Sequence, residues 1–190
     1  MKRTIQTCQL SFQPAVDRGL KILLMPLAQE SSDTPMDTGS SEDELKEAFG
    51  DLIDTQRIQL FPYWHTNTGR FGIEPETLIE RGSQLRKVLR ERPEKNIAIV
   101  SHGTFAHFIL GNVNAKGEQT TRMWANAECR SYEFMSEDDE DAQLVELQES
   151  RDKRPDLEIK DSGHLLRPSG ERKGSMGEAV LVNNSQPQAV

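Results

Sequence analysis

Cysteine is scarce in this chain of 190 residues: Cys8 and Cys129 are the only two, and they stand far apart with no C-x-x-C spacing. That excludes a disulfide framework and a thiolate zinc site, and it points to reduced thiols in a reducing compartment. Long apolar runs are missing too. No stretch reaches the roughly 18 apolar residues that a membrane helix needs, and MKRTIQTCQL holds no apolar core of signal-peptide length. The expected setting is cytoplasmic, without a membrane. Clustered positive charge is also absent. The formal net charge is −8, and Ser136–Val190 carries most of it with thirteen acids against seven bases, leaving the body near neutral. Such a chain has no footprint for duplex phosphates, which excludes nucleic acid as a partner but leaves room for a pocket of two or three cations around one phosphate. Familiar phosphate-handling motifs fail as well. Neither cysteine opens a Cys-x5-Arg cradle, no Asp-x-Asp follows an expected strand, and GERKGSMG lacks the Lys-Ser or Lys-Thr order of a P-loop.

What is present is one domain's worth of alternating elements. Hydrophobic residues make up only 35% of the sequence, so a polar tail dilutes an otherwise ordinary core. Lys2 to Leu10 reads as a helix with Ile5 and Cys8 on its apolar stripe, punctuated by Pro14. Leu20 to Leu27, LKILLMPL, reads as a buried strand that delivers Gln29 and Glu30 at its carboxyl end. Ser31 to Ser41 is loop chemistry, rich in Ser, Asp, Thr, Pro and Gly. Ser41 and Glu44 form a capping-box pattern for a short helix stopped by Gly50. Phe61, Tyr63 and Trp64 are concentrated in a loop from Leu60 to Gly72, and they either shape a lid over a pocket or plug the core beneath the loop. Pro75 begins a helix to about Glu91, with Leu78, Ile79, Leu85, Val88 and Leu89 on one face and Arg or Lys on the other. Asn96 to Val100 predicts a strand, Ser101-His102-Gly103 a tight turn, and Thr104 to Leu110 a helix ending at Gly111. Arg130–Met135 and Gln143–Leu147 predict two strands around the acidic turn SEDDEDA. No packed structure is expected beyond about Arg154. The expectation is an α/β fold, with a domain over residues 1–150 and a polar tail over 151–190.

Three residues stand out chemically. His102 lies between an expected strand and helix, where its ring and the helix's first N–H groups point at one anion; spacing alone equally allows a histidine packed in a turn. Arg3 offers a guanidinium to a phosphate, or is a solvated terminal arginine. Glu30, at a strand end, is placed for proton transfer if partial burial raises its pKa, or is simply solvated. In α/β sheets ligands bind at the carboxyl ends of strands, and Glu30 and His102 both follow such ends.

Taken in order, Arg3-Thr4-Ile5-Gln6-Thr7, Leu27-Ala28-Gln29-Glu30 and Val100-Ser101-His102-Gly103 are similar to an Arg-x-x-Gln-Thr helix, a Leu-x-Glu element with one extra residue, and a second-histidine motif. Over about residues 1 to 150 the chain resembles the histidine phosphatase superfamily, the phosphoglycerate mutase-like proteins. The resemblance implies a three-layer α/β/α fold with a mostly parallel central sheet, and hydrolysis of a small-molecule or protein phosphomonoester through a phosphohistidine, with no metal and no cofactor. It implies that Arg3 and His102 hold the phosphoryl group and that Glu30 serves the leaving oxygen as acid and base. The sequence departs from the family in one respect. The nucleophilic histidine of an Arg-His-Gly motif is absent: the four histidines are His65, His102, His107 and His164, and none follows an arginine. The expectation is therefore a domain lacking its first strand, with Met1 an internal methionine of the family pattern. The alternative is a catalytically inactive pseudophosphatase that binds phosphate or partners. His107, five positions beyond His102, is expected to face away from it, and His65 in the aromatic loop has no evident orienting partner.

Overall fold

A computed structural model describes residues 2–153 and 166–167. The chain opens with helix α1 (Lys2–Ser11), held to the core by the buried Ile5. A second, four-residue helix, α2 (Gln13–Val16), begins where Pro14 was expected only to punctuate. Proline in a first turn forfeits no hydrogen bond, so the chain breaks at Phe12 and restarts.

The strand expected over Leu20–Leu27 contracts to β1 (Ile22–Leu23). Pro26 explains the loss, because it has no N–H for a ladder and instead starts a single 3-10 turn over Pro26–Ala28. β1 pairs in parallel with β2 (Ile53–Asp54), Ile22 opposite Ile53, and the Leu24 N–H extends the pairing to the Asp54 carbonyl at 2.9 Å. Between them α3 (Glu42–Phe49) carries the full capping box: Ser41 Oγ accepts from the Glu44 N–H, and Glu44 accepts from the Ser41 N–H. A short α4 (Gln56–Gln59) follows β2.

The long helix α5 (Pro75–Arg90) packs on α6 (Gly103–Ile109). Their close approach depends on Gly82, where a Cβ would strike the Phe108 carbonyl. The expected division of α5 into an apolar face and a basic face is corrected here, because Arg81 and Arg86 lie buried on the same side as Leu78, Leu85 and Leu89. Arg86 Nη1 donates to the Ile109 carbonyl at 3.0 Å and its Nε to the Asp141 carbonyl at 3.1 Å. It thereby closes the end of α6, where carbonyls lack helical partners.

Asn96–Val100 is not a ladder strand: Asn96 lies in a bend, only Ile97 forms a bridge, and Ala98–Val100 have no strand pairing among the described residues. Strands are made by partners, so an apolar β-branched run without one stays irregular. Downstream, β3 (Tyr132–Phe134) and β4 (Leu144–Leu147) pair antiparallel around the acidic turn, followed by α7 (Gln148–Asp152). A two-residue β5 (Leu166–Arg167), within the segment expected to lack packed structure, adds in parallel to β4. The described residues thus hold a two-stranded parallel sheet and a three-stranded mixed sheet, with helices packed around them, in an α/β fold. One apolar cluster joins Leu24 and Leu27 to Leu85, Leu89, Phe105 and Phe108.

The aromatic loop plugs this core. Trp64 is 1% exposed and Phe71 is buried, while Tyr63 alone stands out at 74% exposure. The indole lies against Gly39, where a Cβ would collide with its ring. Trp64 is therefore not a lid.

Candidate functional site

His102 is the residue just before α6, and its extended backbone leaves its side chain unused as a cap. Its position is fixed from both sides. The Ser101 hydroxyl donates to the Ala28 carbonyl at 2.9 Å, and the His102 carbonyl accepts from the Ala106 N–H at 2.9 Å. The first of these bonds ties the turn before α6 to the 3-10 turn before Glu30, which brings the two residues together across 72 positions of sequence. His102 Nδ1 lies 3.9 Å from Glu30 Oε2 and 3.2 Å from Arg3 Nη2. Arg3, Glu30 and His102, singled out on sequence grounds, therefore meet in one place.

The environment of each is distinct. His102 is 7% exposed and Glu30 is 9% exposed. Burial, helped by the positive charge of Arg3, pushes the His102 pKa down to about 4, so its ring is neutral at pH 7. Glu30 Oε1 accepts three bonds, from the Ser31 N–H at 2.8 Å, the Ser31 hydroxyl at 3.0 Å and the Phe105 N–H at 3.1 Å. The first turn of α6 was expected to keep its N–H groups free for an anion. The Phe105 N–H is instead taken by Glu30, which leaves Oε2 as the oxygen facing His102. The Arg3 guanidinium is half exposed and is gripped by the loop after Glu30: Nη1 donates to the Met36 carbonyl at 2.9 Å and Nη2 to Asp37 Oδ1 at 2.6 Å.

Two further residues, not anticipated, support the site. Asp37 Oδ2 accepts from the Ser32 and Thr34 hydroxyls. Burial alone would raise the Asp37 pKa, but the bonds from Ser32, Arg3 and Thr34 outweigh it and hold the carboxyl below its ordinary value. Arg81, 1% exposed, donates through Nη2 to the Gln29 carbonyl at 3.0 Å and the Glu30 carbonyl at 2.9 Å, with its guanidinium over the Phe105 ring at 4.2 Å. Burial pulls its pKa down to about 10, against the opposing pull of Glu30. It remains a cation at neutral pH. A signal for Arg81 was available, since it falls three residues after Leu78 and four before Leu85, inside the apolar stripe. For Asp37 none was, because nothing local marks which loop carboxylate meets a distant arginine.

The other histidines have contacts of their own. His107 is fully buried, with Nδ1 3.2 Å from the Thr121 hydroxyl, and His65 lies edge-on to Trp64 at 5.8 Å. His164 lies outside the described residues. An apolar slot opens beside the site, lined by Ile5, Cys8 and Phe12, by Leu23 and Leu24 and by Ala98–Val100, and it reaches His102. Among the described residues no cluster of His, Cys, Asp or Glu is placed to hold a metal ion, and no helix is long and apolar enough to cross a membrane.

An arginine, a neutral buried histidine and a carboxylate are gathered here, a set of groups whose chemistry can hold a small anion. The chain belongs to the histidine phosphatase superfamily (branch 1), whose family model matches residues 1–150. No curated protein and no solved structure gives a match.

Proposed function

We propose that this site holds the phosphoryl group of a phosphomonoester, with Arg3 and His102 as its donors and Glu30 as the acid and base for the leaving oxygen. The observation that carries the reading is the convergence on His102 Nδ1 of Arg3 Nη2 at 3.2 Å and Glu30 Oε2 at 3.9 Å, from three separate segments. A transferring phosphoryl group spreads charge over its equatorial oxygens, and donors fixed in a poorly solvated site stabilise that charge better than water does. Oε2 is the oxygen placed to exchange a proton with the leaving group, because Oε1 is occupied by three donors. It gives the proton to the departing alkoxide and later takes one from the attacking water.

The complete reaction is hydrolysis through a phosphohistidine. The apolar slot lined by β1 and Ala98–Val100, which reaches His102, is where a strand carrying a nucleophilic histidine would complete a mostly parallel central sheet in a three-layer α/β/α fold. The apolar segment Ala98–Val100, which lines the slot and has no strand pairing among the described residues, supports that placement. No metal or cofactor enters these steps. The substrate is a small-molecule or protein phosphomonoester rather than nucleic acid, in keeping with the net charge of −8. The two free thiols, Cys8 and Cys129, support a cytoplasmic setting.

A second reading, phosphate binding without turnover, is favoured by one observation: His65 packs edge-on to the buried Trp64 and His107 is fully buried against Thr121, so both serve the core. One experiment separates the two. The protein is isolated from its own cells at its native length and incubated with p-nitrophenyl phosphate. Release of p-nitrophenol together with an acid-labile phosphoprotein supports hydrolysis. Phosphate binding without release supports the pseudophosphatase, and neither binding nor release overturns both.

A further inference from the structure

The loop from Ser31 to Ser41 was expected to be turn chemistry and little else, yet part of it is built as a collar around Arg3. Asp37 and the Met36 carbonyl take the two terminal nitrogens of the guanidinium at 2.6 and 2.9 Å. Asp37 is itself fixed by the hydroxyls of Ser32 and Thr34, which are in turn 3.1 Å apart. A carboxylate beside a phosphate site is electrostatically the wrong sign. It is therefore informative that this one is half of the shortest contact Arg3 makes, with a side chain only 15% exposed.

We infer that Asp37 is the positioning residue of the anion site: it holds the Arg3 guanidinium against His102, and phosphate affinity rests on that hold despite the repulsion a second anion brings. This rests on the reading of Arg3 and His102 as the phosphoryl donors. A half-exposed arginine samples many rotamers, and a ligand that must first immobilise it binds more weakly. The Asp37 bond, charge-assisted and anchored by two hydroxyls, removes that freedom in advance.

Two substitutions separate position from charge, because both remove the same negative charge. In Asp37→Asn the side-chain oxygen still accepts from Arg3, so the guanidinium stays in place while the repulsion is gone. In Asp37→Ala the hold is lost as well. Titration of the 190-residue chain with inorganic phosphate, followed by ³¹P NMR at pH 7, is expected to show Asp37→Asn binding as tightly as wild type or tighter, and Asp37→Ala binding roughly tenfold more weakly than Asp37→Asn, the usual scale for a hydrogen bond to a charged group. The Arg3 Nε–H resonance, a readout that a merely structural role leaves alone, is expected to be sharp in wild type and Asp37→Asn and broadened in Asp37→Ala. Equal tightening in both variants makes Asp37 only a repelling charge and overturns the inference, as does equal affinity in all three proteins. If Asp37→Ala does not fold, Ser32→Ala takes its place: it frees one anchor of Asp37 and is expected to weaken binding several-fold, and unchanged affinity overturns the inference. A wild-type chain that binds no phosphate overturns the reading of the site itself, which distinguishes that failure from this one.

Discussion

Replacing Arg81 with methionine sets two large effects against each other. Arg81 is 1% exposed and two of its nitrogens, Nε and Nη1, have no hydrogen-bond partner among the described residues. Removing so poorly solvated a charge relieves a desolvation cost of several kcal/mol, and methionine refills much of the apolar stem. Against this, the Gln29 and Glu30 carbonyls each lose a charged donor, at about 1.5–3 kcal/mol apiece, and the contact over Phe105 is lost, at about 1–2 kcal/mol. The Arg81 pKa, lowered by burial to about 10, leaves part of the desolvation cost uncompensated, although the cation persists at pH 7. The carbonyls and ring left without their partner are taken as the larger loss. The expected result for Arg81→Met is a loss of about 3 kcal/mol in urea unfolding with an unchanged slope, or a drop of roughly 6–12 °C in Tm for a chain of this size. Arg81→Lys, whose ammonium cannot fork across both carbonyls and stack on the ring, is expected to lose about half as much. An Arg81→Met protein as stable as wild type would refute the reasoning, because desolvation would then be the larger effect.

Other outcomes follow from the same contacts. The His102 pKa is lowered from 6.5 to about 4 by burial and by Arg3; the unfolded chain then takes up a proton before the folded one does. Stability is full above about pH 7 and falls by about 3 kcal/mol as pH drops from 6.5 through 4. His102→Asn is expected to flatten that acid limb in a series of melts, and an unaltered limb would count against a buried neutral ring. Phosphate, if it binds beside His102, favours the charged ring and raises its pKa, so calorimetry near pH 6 in buffers of different ionisation enthalpy should show proton uptake; buffer-independent heats would oppose it. Gly39→Ala drives a methyl group into the Trp64 ring and should cost about 1–3 kcal/mol in urea unfolding. Ser41→Ala removes the cap of α3 at about 1 kcal/mol by the same measurement.

Legibility in the sequence followed the range of the forces involved. The helices α3, α5 and α6 were readable because capping and 3.6-residue periodicity are local, and the Ser41–Glu44 box is present as expected. The strands were less so. Leu20–Leu27 and Asn96–Val100 share an apolar character, yet only Ile22–Leu23 finds a ladder partner among the described residues, in a two-residue strand at Ile53–Asp54 too short to carry a pattern. The site was legible as motifs, and Arg3, Glu30 and His102 do meet. What holds them there was not. Arg81 was assigned to a solvated face because cations usually lie there, and the Asp37–Arg3 pair joins residues 34 positions apart through a loop with no periodicity. The fate of the α6 amide was also hidden, since the carboxylate that takes the Phe105 N–H comes from 75 residues earlier.

The central claim is that Arg3 and His102 form a phosphoryl site, and phosphate binding by the 190-residue chain tests it most directly. Isothermal titration at pH 7 is carried out with wild type, Arg3→Met and His102→Asn, each checked for an intact fold by circular dichroism. The account predicts saturable binding by wild type and at least a tenfold loss in each variant, the scale of one charge-assisted hydrogen bond. Folded variants that bind phosphate as tightly as wild type would contradict it.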